Sequence, residues 1–463
     1  MSSHNPKTRK ERLVVVGGCA AGMSAASKAR RLRPEMEVVA LEKTPHVSYS
    51  ACGIPYYVAD FVRQPSDLVT VTPEEFRSKR NIAVFTRHEV VDIKPVQRQV
   101  TAVEMETNKE MCWHYDRLLI SVGGLPNRPD IPGIDLQNIF TIQTLQDGIR
   151  IKQLIDERRP KRVAIVGGGY IAMEMAEACR VRGLQVNLLE KRRQILLTFE
   201  ENIVEAVRAE LSRNQVTVQT QAQIVRFAPN GLNEVTQVLL AGTEEALPVD
   251  FVLVCAGLAP NTRLAEIAGV RPGKTGAIGV DWKMQTSVPN IYAAGDCVEV
   301  KNLVSGKPDY IPLGPTANKQ GRVAGENIGG GTAIFRGVAG TSVFKTFELE
   351  VARTGLCARQ ARSHSLDVDM VTITERSKAG YYPGAQPMTV CVVFDRRSGR
   401  LLGAQMVGRE GVSKRIDVFA AALLNKMTLE DLASLDLSYA PPFAPVWDPV
   451  LVAVNVARGK LHR

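Results

Sequence analysis

The chain lacks any apolar run of membrane-spanning length. Its longest uncharged apolar stretches, around residues 13–17 and 163–167, are strand-sized and fall far short of the ~20 residues a helical span needs. No membrane association is expected. Aromatic residues are scarce at 6%, and the formal net charge of +10 comes with no long basic arm and no nucleic-acid-binding signature. That field suits small polyanions, and no nucleic acid is expected as a partner. The eight cysteines, at 19, 52, 112, 179, 255, 297, 357 and 391, include no CxxC pair and no regular spacing. This argues against a disulfide framework and against a metal site, and leaves any working cysteine to act singly. The first residues carry Lys7, Arg9, Lys10 and Arg12 but no long apolar segment and no small-residue cleavage site, so a cytoplasmic location is expected. What remains is an ordinary globular composition, 45% hydrophobic and 23% charged over 463 residues, with room for about three domains.

Two segments carry the same pattern. Arg12 to Val16 reads as a buried strand running into a glycine turn with Gly17 and Gly22 at its outer positions; a helical stretch Ser24–Leu32 and a second strand from Glu37 follow, ending in Glu42. The pattern is that of a βαβ dinucleotide unit, in which the glycines let backbone approach a pyrophosphate and the strand-end acid takes the ribose hydroxyls. Cys19 replaces the middle glycine of the fingerprint. The pattern returns at Arg162–Val166, with Gly167, Gly169 and Ala172, a helix through Arg182 and a strand ending in Glu190. Two fingerprints predict two dinucleotides. A carboxylate at Glu190 favours NADH by bonding a free 2′-hydroxyl, whereas the adjoining Lys191, Arg192 and Arg193 would suit the 2′-phosphate of NADPH.

Further apolar strands end in small residues at Ser121-Val-Gly-Gly and Cys255-Ala-Gly, and Asn290-Ile-Tyr-Ala-Ala-Gly-Asp puts Asp296 just beyond a buried strand. In this order the motifs resemble those of the two-dinucleotide-binding-domain flavoproteins, the pyridine nucleotide-disulfide oxidoreductases, over roughly residues 12–460. The resemblance implies an α/β fold with two Rossmann-like domains and a C-terminal α+β dimerisation domain. The expected boundaries are 10–145 with 270–335 for a discontinuous FAD domain, 146–269 for NAD(P)H, and 336–463 for the dimer domain. For FAD it implies Gly17, Ala20, Ala21, Gly22, Glu42, Lys43, Val90, Ser121, Gly123, Arg128, Asp296 and Ala317. For the nicotinamide cofactor it implies Gly167, Gly169, Tyr170, Ile171, Glu190 and Gly257.

The chemistry turns on Val47-Ser-Tyr-Ser-Ala-Cys-Gly-Ile-Pro-Tyr-Tyr, which follows the second strand. Two-cysteine relatives have a CxxxxC pair there, but Tyr57 stands five residues after Cys52, so an oxidised Cys52 must pair with a small thiol or carry oxygen. The run from Ser48 to Cys52, and Leu437-Ser-Tyr-Ala-Pro-Pro-Phe-Ala-Pro-Val-Trp-Asp-Pro near the C-terminus, resemble the single-cysteine coenzyme A-disulfide reductase subgroup and its persulfide-reducing cousins. That resemblance implies a homodimer with shared active sites, tyrosines of the partner subunit near the sulfur (Tyr439, with Tyr382 favoured over Tyr381), and small thiol or disulfide substrates. It places coenzyme A on Ser24, Lys28, Arg31, Ser48, Arg80, Asn318 and Trp447. Ala51 departs from members with an amide there. A low Cys52 thiol pKa is expected from nearby helix N-termini and the flavin. No sulfurtransferase module follows Trp447, so persulfide is expected to be supplied from elsewhere.

Two rival readings stand beside this one: a flavin NADH oxidase or peroxidase using a Cys52 sulfenic acid, and a redox-responsive flavoprotein with a binding role. None of the six histidines lies in the Gly17–Ser24 turn, where the peroxide- and oxygen-reducing relatives keep theirs, which counts against the first.

Overall fold

The computed structural model describes residues 10–231 and 233–461. Strands Arg12–Val16 and Arg162–Val166 are buried along nearly their whole length, because helices cover both faces of a parallel sheet. Each is the central strand of a five-stranded sheet. The first runs Ile291–Ala293, Arg117–Ile120, Arg12–Val16, Glu37–Glu42, Ala83–Thr86, all parallel. The second runs Val216–Thr220, Gln185–Glu190, Arg162–Val166, Phe251–Val254, Ile139–Thr141, again all parallel. Strand Ile291–Ala293 returns to close the first sheet after the second has been inserted. Strand Ile139–Thr141 already pairs with Phe251–Val254 in the second sheet, so the chain crosses before the boundary expected at 145.

Both central strands end in a turn that only glycine satisfies. Gly17 has φ +102° and Gly167 φ +114°, and an added Cβ would lie 2.3 Å from the Ser121 carbonyl oxygen in one case and 2.3 Å from that of Cys255 in the other. The carboxyl edges of both sheets therefore open directly onto helix N-termini.

The third unit is an antiparallel sheet, Ser342–Thr346, Leu349–Gly355, Leu401–Gly408, Pro387–Asp395, Val368–Arg376, backed by helices Val412–Leu424 and Pro449–Leu461. Its middle strand, Leu401–Gly408, is buried at every position. It docks on the second unit through Phe344, Phe347 and Val351, which share a core with Ile54, Tyr57 and Met173. The buried carboxylate of Glu177 accepts from the Phe347 amide at 2.7 Å and pairs with Lys345 at 2.8 Å, fixing that junction. Charge-assisted bonds of this kind contribute about 1.5–3 kcal/mol each when well shielded.

Helix Gly314–Ile328 lies along helix Ala20–Leu32 in backbone contact. A Cβ on Gly321 would approach the Ala21 carbonyl oxygen to 2.2 Å, and one on Gly325 the Ala25 oxygen to 2.3 Å. Overpacking there would part the helices at a cost of about 1–3 kcal/mol. Among the described residues no helix is long and apolar enough to cross a membrane, and no group of three metal-ligating side chains occurs.

Candidate active site

The first glycine turn is braced from two sides. Glu42 accepts from the Gly18 amide (Oε2, 2.7 Å) and from the Thr44 amide (Oε1, 2.7 Å), while Ser121 Oγ donates to the carbonyls of Val16 and Gly17 at 2.9 and 3.1 Å. A methyl on Gly22 would stand 1.9 Å from the Gly17 oxygen. Helices Ala20–Leu32 and Gly314–Ile328 both begin without a side-chain cap. Their starts converge at Gly295, whose added Cβ would lie 3.0 Å from that of Ala21 and 3.7 Å from that of Ala317. Uncapped amides at two converging helix starts suit an anionic group such as a pyrophosphate. Asp296 follows directly, its side chain unpartnered among the described residues, and burial pushes its carboxyl up to about 6. Such a carboxylate is stabilised by hydroxyl donors, which the ribityl chain of a flavin would bring. Val90 is buried nearby in the first core, and Gly123 has φ +70°. Lys43 pairs with Glu89 at 2.8 Å, and Arg128 is held by Asp135 and the Ile134 carbonyl, so neither cation is free in this arrangement.

The second turn repeats the design. Helix Tyr170–Val181 starts uncapped at Gly169, and the buried Glu190 accepts from the Arg192 amide at 2.7 Å. A Cβ on Gly168 would sit 2.9 Å from Glu190 Oε2, and Gly257 has φ +90°. Ile171 is half-buried behind Tyr170, while Lys191, Arg192 and Arg193 are exposed with no acidic partner among the described residues.

Cys52 is exposed in the single turn Ala51–Gly53, just before helix Ile54–Val58. The segment leading into the turn is pinned twice. Ser48, at φ +49°, donates its amide to the Gly18 carbonyl at 2.8 Å, and Ser50 donates to Leu68 at 2.8 Å. Ser48 Oγ also lies 3.3 Å from Thr70 Oγ1. The cysteine is thereby carried on the first glycine turn itself.

The helix that begins at the second turn faces it. Glu174 and Tyr170, spaced by four on the second Rossmann helix, share one face with Glu177, and Glu174 acts electrostatically on Cys52. Sequence reasoning missed Glu174; its i+4 spacing from Tyr170 places it on the same helix face but does not signal its approach to Cys52. It has no hydrogen bond or ion pair among the described residues, and burial, then Glu177, pushes its carboxyl up to about 7. Against the low thiol pKa expected for Cys52, the residues around it act the other way: desolvation, then the charges of Glu174 and Asp296, hold the thiol above its ordinary value. Helix starts favour a thiolate, but here two carboxylates oppose it. Glu174 is ionised at any pH where the thiol titrates, so Glu174→Gln should lower the midpoint for Cys52 alkylation in the reduced protein by about one pH unit or less. Iodoacetamide rates measured against pH would show it; an unmoved midpoint would mean the two groups do not communicate.

The residues expected to meet coenzyme A gather on the outer face of the first Rossmann helix. Ser24 Oγ donates to Asn318 Oδ1 at 2.7 Å, Arg80 donates to Ser27 Oγ at 3.0 Å, and Arg31 is exposed. Lys28 is engaged by Glu326 at 3.1 Å. The tail residues stand elsewhere in the chain. Tyr439, Phe443, Val446 and Trp447 are exposed, and among the described residues no hydrogen bond, ion pair or ring contact joins them to residues 45–60. Tyr439 lies beside Tyr381, whose proximity pushes the Tyr439 phenol above its ordinary value. Tyr382, the favoured companion, instead carries the Lys378 ammonium 5.9 Å over its ring.

Two family models match this chain: pyridine nucleotide-disulphide oxidoreductase over residues 11–321, and the dimerisation domain of the same group over residues 341–449. The chain belongs to the pyridine nucleotide-disulphide oxidoreductase family. Among members of this family it is 39% identical over 450 residues to a CoA-dependent NAD(P)H sulfur oxidoreductase of Pyrococcus furiosus, covering 97% of this chain and 99% of that one. It is 31% identical over 436 residues to a coenzyme A disulfide reductase of Staphylococcus haemolyticus, covering 94% and 96%. The crystal structure of reduced Bacillus anthracis CoADR-RHD superposes with a TM-score of 0.94 at 35% identity, over 98% of this chain and 81% of that one. Members of the family use FAD and NAD(P)H, and the two turns described above fit two dinucleotides.

Proposed function

We propose that this protein is a homodimeric, FAD-dependent NAD(P)H:coenzyme A-disulfide reductase that also accepts coenzyme A persulfide or polysulfide and works through Cys52 alone. The observation that carries the proposal is Cys52, exposed, pinned to one dinucleotide turn and faced by Glu174 on the helix that follows the other, with Tyr57 where a pairing cysteine would stand. The first turn, Glu42 and Asp296 would hold FAD, and the second turn with Glu190 the nicotinamide dinucleotide. A bound flavin supplies a route for two electrons from NAD(P)H to a sulfur–sulfur bond.

The thiolate of Cys52 attacks one sulfur of the substrate, forming a Cys52–S–S–CoA bond and expelling one coenzyme A thiolate. Two electrons and one proton then break that bond, freeing the second thiol and restoring the Cys52 thiolate. Per cycle one NAD(P)H, one proton and one disulfide become one NAD(P)⁺ and two thiols. With a persulfide of coenzyme A, the products are coenzyme A thiol and hydrogen sulfide. Ser48 and Gly53 hold the attacking sulfur in place, while Tyr439 and Tyr381 of the partner subunit are assigned to hydrogen-bond the leaving thiolate. The exposed aromatic tail supports that assignment, since a second subunit would cover it. Glu190 favours NADH, and the free cations after it keep NADPH within reach.

Acceptor profiling of the purified protein with both nicotinamides tests the proposal, together with the denatured mass of the resting protein. The expected results are turnover with coenzyme A disulfide or persulfide and an added mass of one coenzyme A less a hydrogen. Turnover confined to oxygen or peroxide, with one oxygen atom on Cys52, would establish the sulfenic-acid reading instead.

A further inference from the structure

The first Rossmann helix is met by two neighbouring elements. From one, Arg80 reaches Ser27; the other, helix Gly314–Ile328, makes two rungs, Asn318 to Ser24 at 2.7 Å and Glu326 to Lys28 at 3.1 Å. Arg322 lies four residues after Asn318 and four before Glu326, so it shares their face and stands between the rungs. It is exposed, and among the described residues it has no hydrogen bond or ion pair.

This placement matters because Lys28 is already neutralised. An ammonium bonded to Glu326 must give up that pairing, or share it, before it serves a phosphate. A guanidinium one turn from Glu326, unpaired among the described residues and on the same helix face, carries the charge that Lys28 does not have free. Guanidinium groups also bind phosphate through two parallel N–H donors, which an ammonium cannot do. Resting on the function proposed above, we infer that Arg322 is a specificity-determining residue of helix Gly314–Ile328, contacting a phosphate of the coenzyme A moiety opposite Arg80.

The test uses the flavin-loaded dimer of wild type, Arg322→Ala and Arg322→Lys. Each is assayed with coenzyme A disulfide and with the disulfide of pantetheine, which lacks the nucleotide phosphates; binding of free coenzyme A is followed by calorimetry. In Arg322→Ala, the KM for coenzyme A disulfide and the Kd for coenzyme A should both rise about tenfold, with the KM values for NADH and pantetheine disulfide unchanged. Arg322→Lys should recover part of the loss. Coenzyme A constants within about twofold of wild type in Arg322→Ala would overturn the inference and leave the proposed function standing. An equal rise for both disulfides would also overturn it, by tracing the effect to a disturbed site rather than a phosphate. A wild type that neither binds nor reduces coenzyme A species would remove the proposed function, and this inference with it.

Discussion

Cys52→Ser is expected to lower turnover with coenzyme A disulfide or persulfide by more than about a thousandfold, while NADH still bleaches the bound flavin at close to the normal rate. The asymmetry follows from where the residue sits. Cys52 is an exposed side chain on a turn whose shape depends on backbone bonds, Ser48 to Gly18 and Ser50 to Leu68, and on the absence of a Cβ at Gly53, which would lie 2.4 Å from Leu68 Cδ2. Serine removes the nucleophilic sulfur without touching any of these. Stopped-flow absorbance with NADH, followed by steady-state assay with the disulfide, separates the two half-reactions. Normal disulfide turnover in the variant would refute Cys52 as the redox centre.

The second large effect concerns the shared site. Within one chain the 437–448 tail and the Cys52 turn have no polar or ring contact among the described residues, and the tail leaves Tyr439, Phe443, Val446 and Trp447 exposed. A mixture of Cys52→Ser and Tyr439→Phe subunits, each slow alone, should therefore regain activity on subunit exchange. In a heterodimer whose sites combine Cys52 of one subunit with the partner's Tyr439, one site carries both lesions and the other neither, so up to about half the wild-type rate per dimer returns. Activity no greater than the sum of the parents, in a mixture shown by mass spectrometry to have exchanged, would place each site within a single chain.

Much of the framework is legible in the chain itself. The glycine turns at Gly17 and Gly167 follow from local constraints: a buried strand, a positive φ and an uncapped helix start occur within a dozen residues, so the motif is readable as a unit. The isolation of Cys52 is likewise a fact of spacing, since Tyr57 leaves it no nearby partner. Two acids, Glu42 and Glu190, end the second strand of each unit as the sequence indicates; Glu42 accepts from the Gly18 amide of its turn and Glu190 from the Arg192 amide beyond its strand.

Other features were decided only when distant segments met. Glu174 opposes the Cys52 thiolate because the second Rossmann helix is packed against helix Ile54–Val58, more than a hundred positions away in sequence, and no local pattern encodes that approach. Tyr381 rather than Tyr382 meets Tyr439 through the path of the 377–386 loop against the tail, where the Ala379 amide donates to the Pro441 carbonyl at 3.2 Å. Lys28 loses its free charge to Glu326, and Arg322 acquires its place between two rungs, because Gly321 and Gly325 let two helices touch at the backbone. Amino-acid sequence alone thus determined which residue types stand at each turn and strand end, where conformation is set by neighbours within a few positions. The electrostatic setting of the thiol and the charge available for an anionic substrate depend on side chains brought together across long loops, and only the tertiary structure settled them.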